Sequence, residues 1–220
     1  MTTYVVLDSS ESMRYGSTNK VTKFDYASYI AASISYMVLK QGDTAGLTIF
    51  DEGIVKELPS SSKLAHARAI CHAIENASQK KKTDLSSILH HIAEKAPRRG
   101  LVVIISDFFA QEEDILNGLR HLAHKRHDVL AMQVLDPFEL TFPFDRMTMF
   151  LGMEEYPDLL CDPRPLQKAY IEEITKFNRY LRHECTKRRI DFETFTSDQM
   201  LDVALTTYLA TRLARASKGG

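Results

Sequence analysis

The chain has 220 residues, 44% of them hydrophobic and 26% charged, with a formal net charge of −1. That length suits one well-buried domain spanning residues 1–220, and the near-balanced charge argues against nucleic acid or a membrane surface as a partner. Cys71, Cys161 and Cys185 are scattered without a C-x-x-C pair, which fits reduced thiols in a cytoplasmic protein, and no basic-then-apolar leader or bilayer-length apolar run is present.

Apolar residues 4–7 predict a buried strand that ends at Asp8. The loop that follows reads Asp8-Ser9-Ser10-Glu11-Ser12. Residues 25–40 carry apolar side chains at helical spacing, and Gly42-Asp43 stops that helix. Strands are expected at 45–50 and 54–58, joined by Asp51-Glu52-Gly53 as a hairpin with an antiparallel edge strand. A helix over 64–77 leads into the basic loop Gln79-Lys80-Lys81-Lys82, and Thr83-Asp84 opens another helix to about Lys95.

Leu101 to Ile105 is the most continuous apolar run and predicts a central parallel strand covered on both faces. A helix over 111–125 starts with Glu112, Glu113 and Asp114, where the helix dipole favours acids. A strand over 128–135 follows. Residues 137–165 are irregular, with Phe142, Met149, Phe150, Leu159 and Leu160 suggesting short strands or loops packed on an end of the sheet. A long helix over 166–189, a strand over 190–195 and a closing helix over 199–213 complete the chain. Alternation of this kind predicts an α/β fold: a Rossmann-like, open, mostly parallel sheet with one antiparallel edge strand and helices on both faces.

In such sheets ligands bind beyond the carboxyl ends of the strands, where the strand order reverses. Asp8-x-Ser10-x-Ser12, Thr83 and Asp107 fall in loops able to meet there. Together they offer two carboxylates and three hydroxyls, which are hard oxygen ligands suited to Mg²⁺ or Mn²⁺. The alternative is that these side chains are only turn and cap residues. Asp136 and Glu139 suit a turn or a salt bridge. His90-His91 and the cluster Arg179, Arg182, Lys187, Arg188 and Arg189 suit solvated helix faces, and Cys71 and Cys185 suit the core.

Asp8-x-Ser10-x-Ser12 with Met13, the later Thr83, and a strand ending in Ser106-Asp107 resembles the von Willebrand factor A domain and its metal-ion-dependent adhesion site. More closely, the chain is similar to the bacterial family called domain of unknown function 58. That likeness runs through Gln41-Gly42-Asp43-Thr44-Ala45-Gly46-Leu47, Thr83-Asp84-Leu85, Ile105-Ser106-Asp107-Phe108 and residues 134–140, and continues from Ala169-Tyr170 onward. The resemblance implies that Ser10 and Ser12 coordinate the ion directly, and that Thr83, Asp8 and Asp107 do so directly or through water. It also implies a MoxR-type AAA+ ATPase as associate, with a role in complex maturation.

Three classes of function follow. The first is a non-enzymatic, metal-dependent interaction module whose partner supplies an Asp or Glu ligand. The second is a Mg²⁺-dependent phosphohydrolase with Asp8 as nucleophile, disfavoured because Ser10 stands where such enzymes carry a second aspartate as general acid. The third is a scaffold without a functional metal.

Overall fold

The computed structural model describes residues 1–17, 21–77, 85–96, 98–153 and 157–206. β1 (Thr2–Asp8), β2 (Thr44–Phe50), β3 (Ile54–Ser61), β4 (Leu101–Ser106), β5 (Asp128–Leu135) and β8 (Asp191–Thr196) form one sheet in the order β3-β2-β1-β4-β5-β8. β1 pairs in parallel with both β2 and β4, β5 is parallel to β4 and β8, and β3 alone runs antiparallel, at an edge. The chain leaves β1 toward β2 on one side and returns to β4 on the other. The switch point therefore lies between the carboxyl ends of β1 and β4, where Asp8 and Ser106 sit.

Alternate β1 residues feed two cores. Val5 and Leu7 pack with Val103, Ile105 and Met132 under α1 (Lys23–Lys40) and α2 (His66–Glu75). Val6, Val102 and Ile104 pack under α3 (Leu85–Lys95), α4 (Glu112–His124) and α6 (Arg164–Lys187). This double coverage is why the parallel strands read as unbroken apolar runs. α1 begins at a capping box in which Thr22 and Asp25 satisfy each other's backbone N–H, and it ends before Gly42, whose φ of +80° suits glycine. Residues 201–206 are helical; the rest of the expected closing helix lies outside the described residues. Among the described residues no helix is long and apolar enough to cross a membrane.

α3 and α4 approach closely at Gly118. A Cβ there would stand 2.8 Å from Leu89 Cβ and Cδ1. Alanine improves helix propensity by about 1 kcal/mol, but overpacking of this kind costs about 1–3 kcal/mol. Gly118→Ala is therefore expected to destabilise the fold by about 1 kcal/mol in urea titration, and a gain in stability would refute the close packing.

The expected irregular region resolves into a short helix, α5 (Pro137–Thr141), and a two-stranded ribbon, β6 (Thr148–Phe150) with β7 (Leu159–Cys161). Phe142 and Phe150 stack at 5.7 Å, and Phe144 meets both edge-on. Met149, Leu159 and Leu160 point outward instead of packing on the sheet. Cysteines divide in the same way. Cys185 is buried, with its thiol pushed up to about 12 by burial, whereas Cys71 is exposed and not a core residue. Its place on an apolar stripe did not reveal which flank of α2 the sheet covers. Arg182 lies beside Glu193, while Lys187 and Arg188 pair with Glu184, as expected of a solvated face.

Candidate functional site

β1 delivers Asp8 to the switch point almost wholly buried. Its Oδ1 accepts the Ser10 N–H at 2.9 Å, and its Oδ2 accepts the Ser106 hydroxyl at 2.5 Å. Ser9 is pinned to the end of β2, its hydroxyl donating to the Phe50 carbonyl at 2.9 Å. A single 3-10 turn, Ser12–Arg14, follows, with Met13 buried as its anchor. The result is a fixed loop in which Ser10 Oγ and Ser12 Oγ face each other at 3.2 Å.

β4 delivers Asp107 beside them, also buried. Beyond it Phe108 takes a left-handed backbone, φ +59°, a strained state for an aromatic residue. Three features hold it there. Its N–H donates to Ser106 Oγ at 2.9 Å, the Phe109 N–H donates to Asp107 Oδ1 at 3.0 Å, and its ring lies 5.7 Å from that of Phe192. Gln133 Nε2 donates to the Asp107 carbonyl and to Asn178 Oδ1, tying the turn to β5 and α6.

Lys23 completes the arrangement. It is the first residue of α1, where the helix dipole disfavours a cation. Its side chain is fully buried, and Nζ donates to Asp107 Oδ2 at 2.8 Å and to Glu139 Oε1 at 2.7 Å, 4.8 Å from the Phe109 ring centre. Burial alone would lower its pKa, but the Asp107 and Glu139 carboxylates outweigh it and hold the ammonium charged. Glu139 belongs to a second capping box: Asp136 caps α5 through the Phe138 N–H, and Glu139 Oε2 accepts the Asp136 N–H. Asp136 also accepts the Ser17 N–H at 2.8 Å. Asp136 and Glu139 thus have the turn and ion-pair roles that suit their types.

Among the described residues Lys23 pairs with Asp107 and Glu139, while the buried Asp8 and Asp136 carboxylates have no ion-pair partner, so negative charge stays unmatched when all are ionised. Asp8 registers the imbalance. Its pKa is pushed up to about 7, first by burial and then by the charge of Asp107, despite hydrogen bonds from Ser106 and Ser10 that lower it. A divalent cation would offset much of that charge. The hydroxyl pair fits one as well: in an octahedron with bonds of about 2.1 Å, adjacent ligand oxygens lie roughly 3.0 Å apart, close to the 3.2 Å seen here. Among the described residues no group of three or more His, Cys, Asp or Glu is placed to hold a metal. A cation here therefore depends on the hydroxyls.

The structure thus brings Asp8, Ser10, Ser12 and Asp107 to one end of the sheet. Thr83 lies outside the described residues, as do Lys80, Lys81 and Lys82. Sequence reasoning missed Lys23 and gave Ser106 no separate role. The available signal for Lys23 was a lysine in the first turn of a helix, next to a Thr-x-x-Asp cap, where a cation has no local reason to be.

The family described as "Protein of unknown function DUF58" matches residues 1–173. Among curated proteins, "Uncharacterized protein Rv1480" of Mycobacterium tuberculosis is 31% identical over 144 residues, covering 64% of this chain and 44% of that protein. "Uncharacterized protein Mb1516" of Mycobacterium bovis matches to the same extent. The matched region spans less than half the length of these relatives. Among solved structures, the conserved hypothetical protein BatB from Bacteroides thetaiotaomicron superposes with a TM-score of 0.57 at 13% identity, covering 99% of this chain and 98% of that one. An aerotolerance-related membrane protein from Bacteroides fragilis, with multiple mutations to serines, gives 0.58 at 17% identity, covering 94% and 95%. At these identities the likeness is one of fold alone.

Proposed function

The chain belongs to the DUF58 family, and from that premise and the geometry at the switch point we propose that it is a non-enzymatic, divalent-metal-dependent protein-interaction module. The observation that carries this is the set of two buried carboxylates, Asp8 and Asp107, beside a facing hydroxyl pair, with negative charge left unmatched. Mg²⁺ or Mn²⁺ would be held by Ser10 and Ser12 directly, and by Asp8 and Asp107 directly or through water. The bound ion supplies an electrophilic point for an Asp or Glu of a partner protein. A von Willebrand factor A-type classification, a MoxR-type AAA+ ATPase as partner and a cytoplasmic location belong to the same proposal.

Bond-making chemistry has less support. Ser10 offers no acid near neutral pH.

A purified partner candidate is expected to bind in Mg²⁺ and to be lost in excess EDTA or with Ser10→Ala/Ser12→Ala. Equal binding under all three conditions would refute the proposal. Thermal unfolding gives a partner-free check. At 100 times its dissociation constant a ligand adds about 2.7 kcal/mol, which is roughly 5–10 °C in Tm for a chain of this size. No shift with Mg²⁺ or Mn²⁺ would favour the metal-free scaffold.

A further inference from the structure

We infer that Lys23 is a tethered cation that shares Asp107 with the metal ion and holds the ion's affinity down. This deepens the proposed function and rests on it. Lys23 is not where a helix or a core would put it. A fully buried ammonium at the first position of α1 opposes the helix dipole and must be stripped of water. Its placement is accounted for by its two partners, Asp107 at the end of β4 and Glu139 on α5, which it bridges at 2.8 and 2.7 Å.

The consequence is electrostatic. Asp107 Oδ1 accepts the Phe109 N–H and Oδ2 accepts from Lys23, so this carboxylate reaches a metal with its charge already partly matched. Among the described residues Asp8 has no cationic partner. An ion bound by neutral hydroxyls, by Asp8 and by a carboxylate shared with an ammonium is held less tightly than one with Asp107 to itself. Without Lys23, Asp107 would face the ion with its charge unshared, and the ion would bind more tightly.

The test is Mn²⁺ titration of four proteins at one pH and ionic strength, read by electron paramagnetic resonance of free Mn²⁺. Lys23→Met should bind Mn²⁺ at least tenfold more tightly than wild type. Glu139→Gln, which removes a negative charge without touching the hydroxyl pair, should bind several-fold more weakly. The double variant Lys23→Met/Glu139→Gln restores the wild-type charge and should return to within about threefold of wild-type affinity. If Lys23→Met proves unfolded without metal, refolding on Mn²⁺ addition, followed by circular dichroism, supports the inference, and failure to refold overturns it. Equal or weaker binding by Lys23→Met, with wild type binding normally, overturns the role of Lys23 alone. Absence of binding in all four proteins overturns the cation site and this inference together.

Discussion

Lys23→Met is expected to lower the unfolding free energy of the metal-free protein by about 3–5 kcal/mol, the range found when one partner of a buried ion pair is removed. The ammonium is wholly buried and pairs with two carboxylates that arrive from different elements, Asp107 just after β4 and Glu139 on α5. Without it both remain in a region walled by Phe109, Tyr15 and Tyr170. Burial first raises the pKa of either tyrosine, and charge adds to it, from Asp136 and then Glu139 at Tyr15 and from Glu139 at Tyr170. Urea titration should show the loss at an unchanged m-value. Lys23→Met/Glu139→Gln should recover part of it, because one of the two stranded charges is gone. A loss below about 1 kcal/mol would mean that water reaches these groups and the pair is not the buried anchor described here.

Asp8 gives the second large effect, and its sign is unusual for a carboxylate. The folded pKa is pushed up to about 7 from an ordinary 3.8, by burial first and then by Asp107. Between those values the folded state binds more protons than the unfolded state. Stability contributed at Asp8 is therefore full below about pH 4, falls as pH rises toward 7, and is gone above it. The shift of about three pKa units corresponds to an upper bound of about 4 kcal/mol. Other groups titrate in the same window, so the informative quantity is the difference between wild type and Asp8→Asn. In metal-free buffer the asparagine variant should gain on wild type as pH rises from 4 to 7. A difference independent of pH would show that Asp8 is ionised without penalty and needs no cation. Saturating Mg²⁺ should cancel the wild-type loss, since the ion takes the place of the proton.

Strands, helices and the carboxyl-end location of the candidate residues were legible because they depend on local rules. Unbroken apolar runs mark β1 and β4, apolar spacing and the Gly42-Asp43 stop mark α1, and the rule that loops meet where strand order reverses puts Asp8 and Asp107 together, whereas the capped helix α5 fell in the stretch expected to be irregular. Long-range compensation was not legible. Lys23 meets Asp107 across 84 residues and Glu139 across 116, and nothing local to any of them announces the contact. The outward face of the β6–β7 ribbon and the exposure of Cys71 were hidden for a related reason: an apolar side chain in sequence carries no sign of whether anything covers it. Ser106 looked like the tail of a strand, yet its hydroxyl both fixes Asp8 and accepts from the strained Phe108, joining the two acidic loops.

Direct Mn²⁺ binding in the absence of any partner tests the central claim most closely. Wild type is expected to hold one Mn²⁺ per chain at neutral pH, displaced by Mg²⁺, with binding reduced at least a hundredfold in Ser10→Ala/Ser12→Ala although that variant stays folded. Undiminished binding in the double alanine variant, or none in wild type, would contradict a cation held by the facing hydroxyls between Asp8 and Asp107.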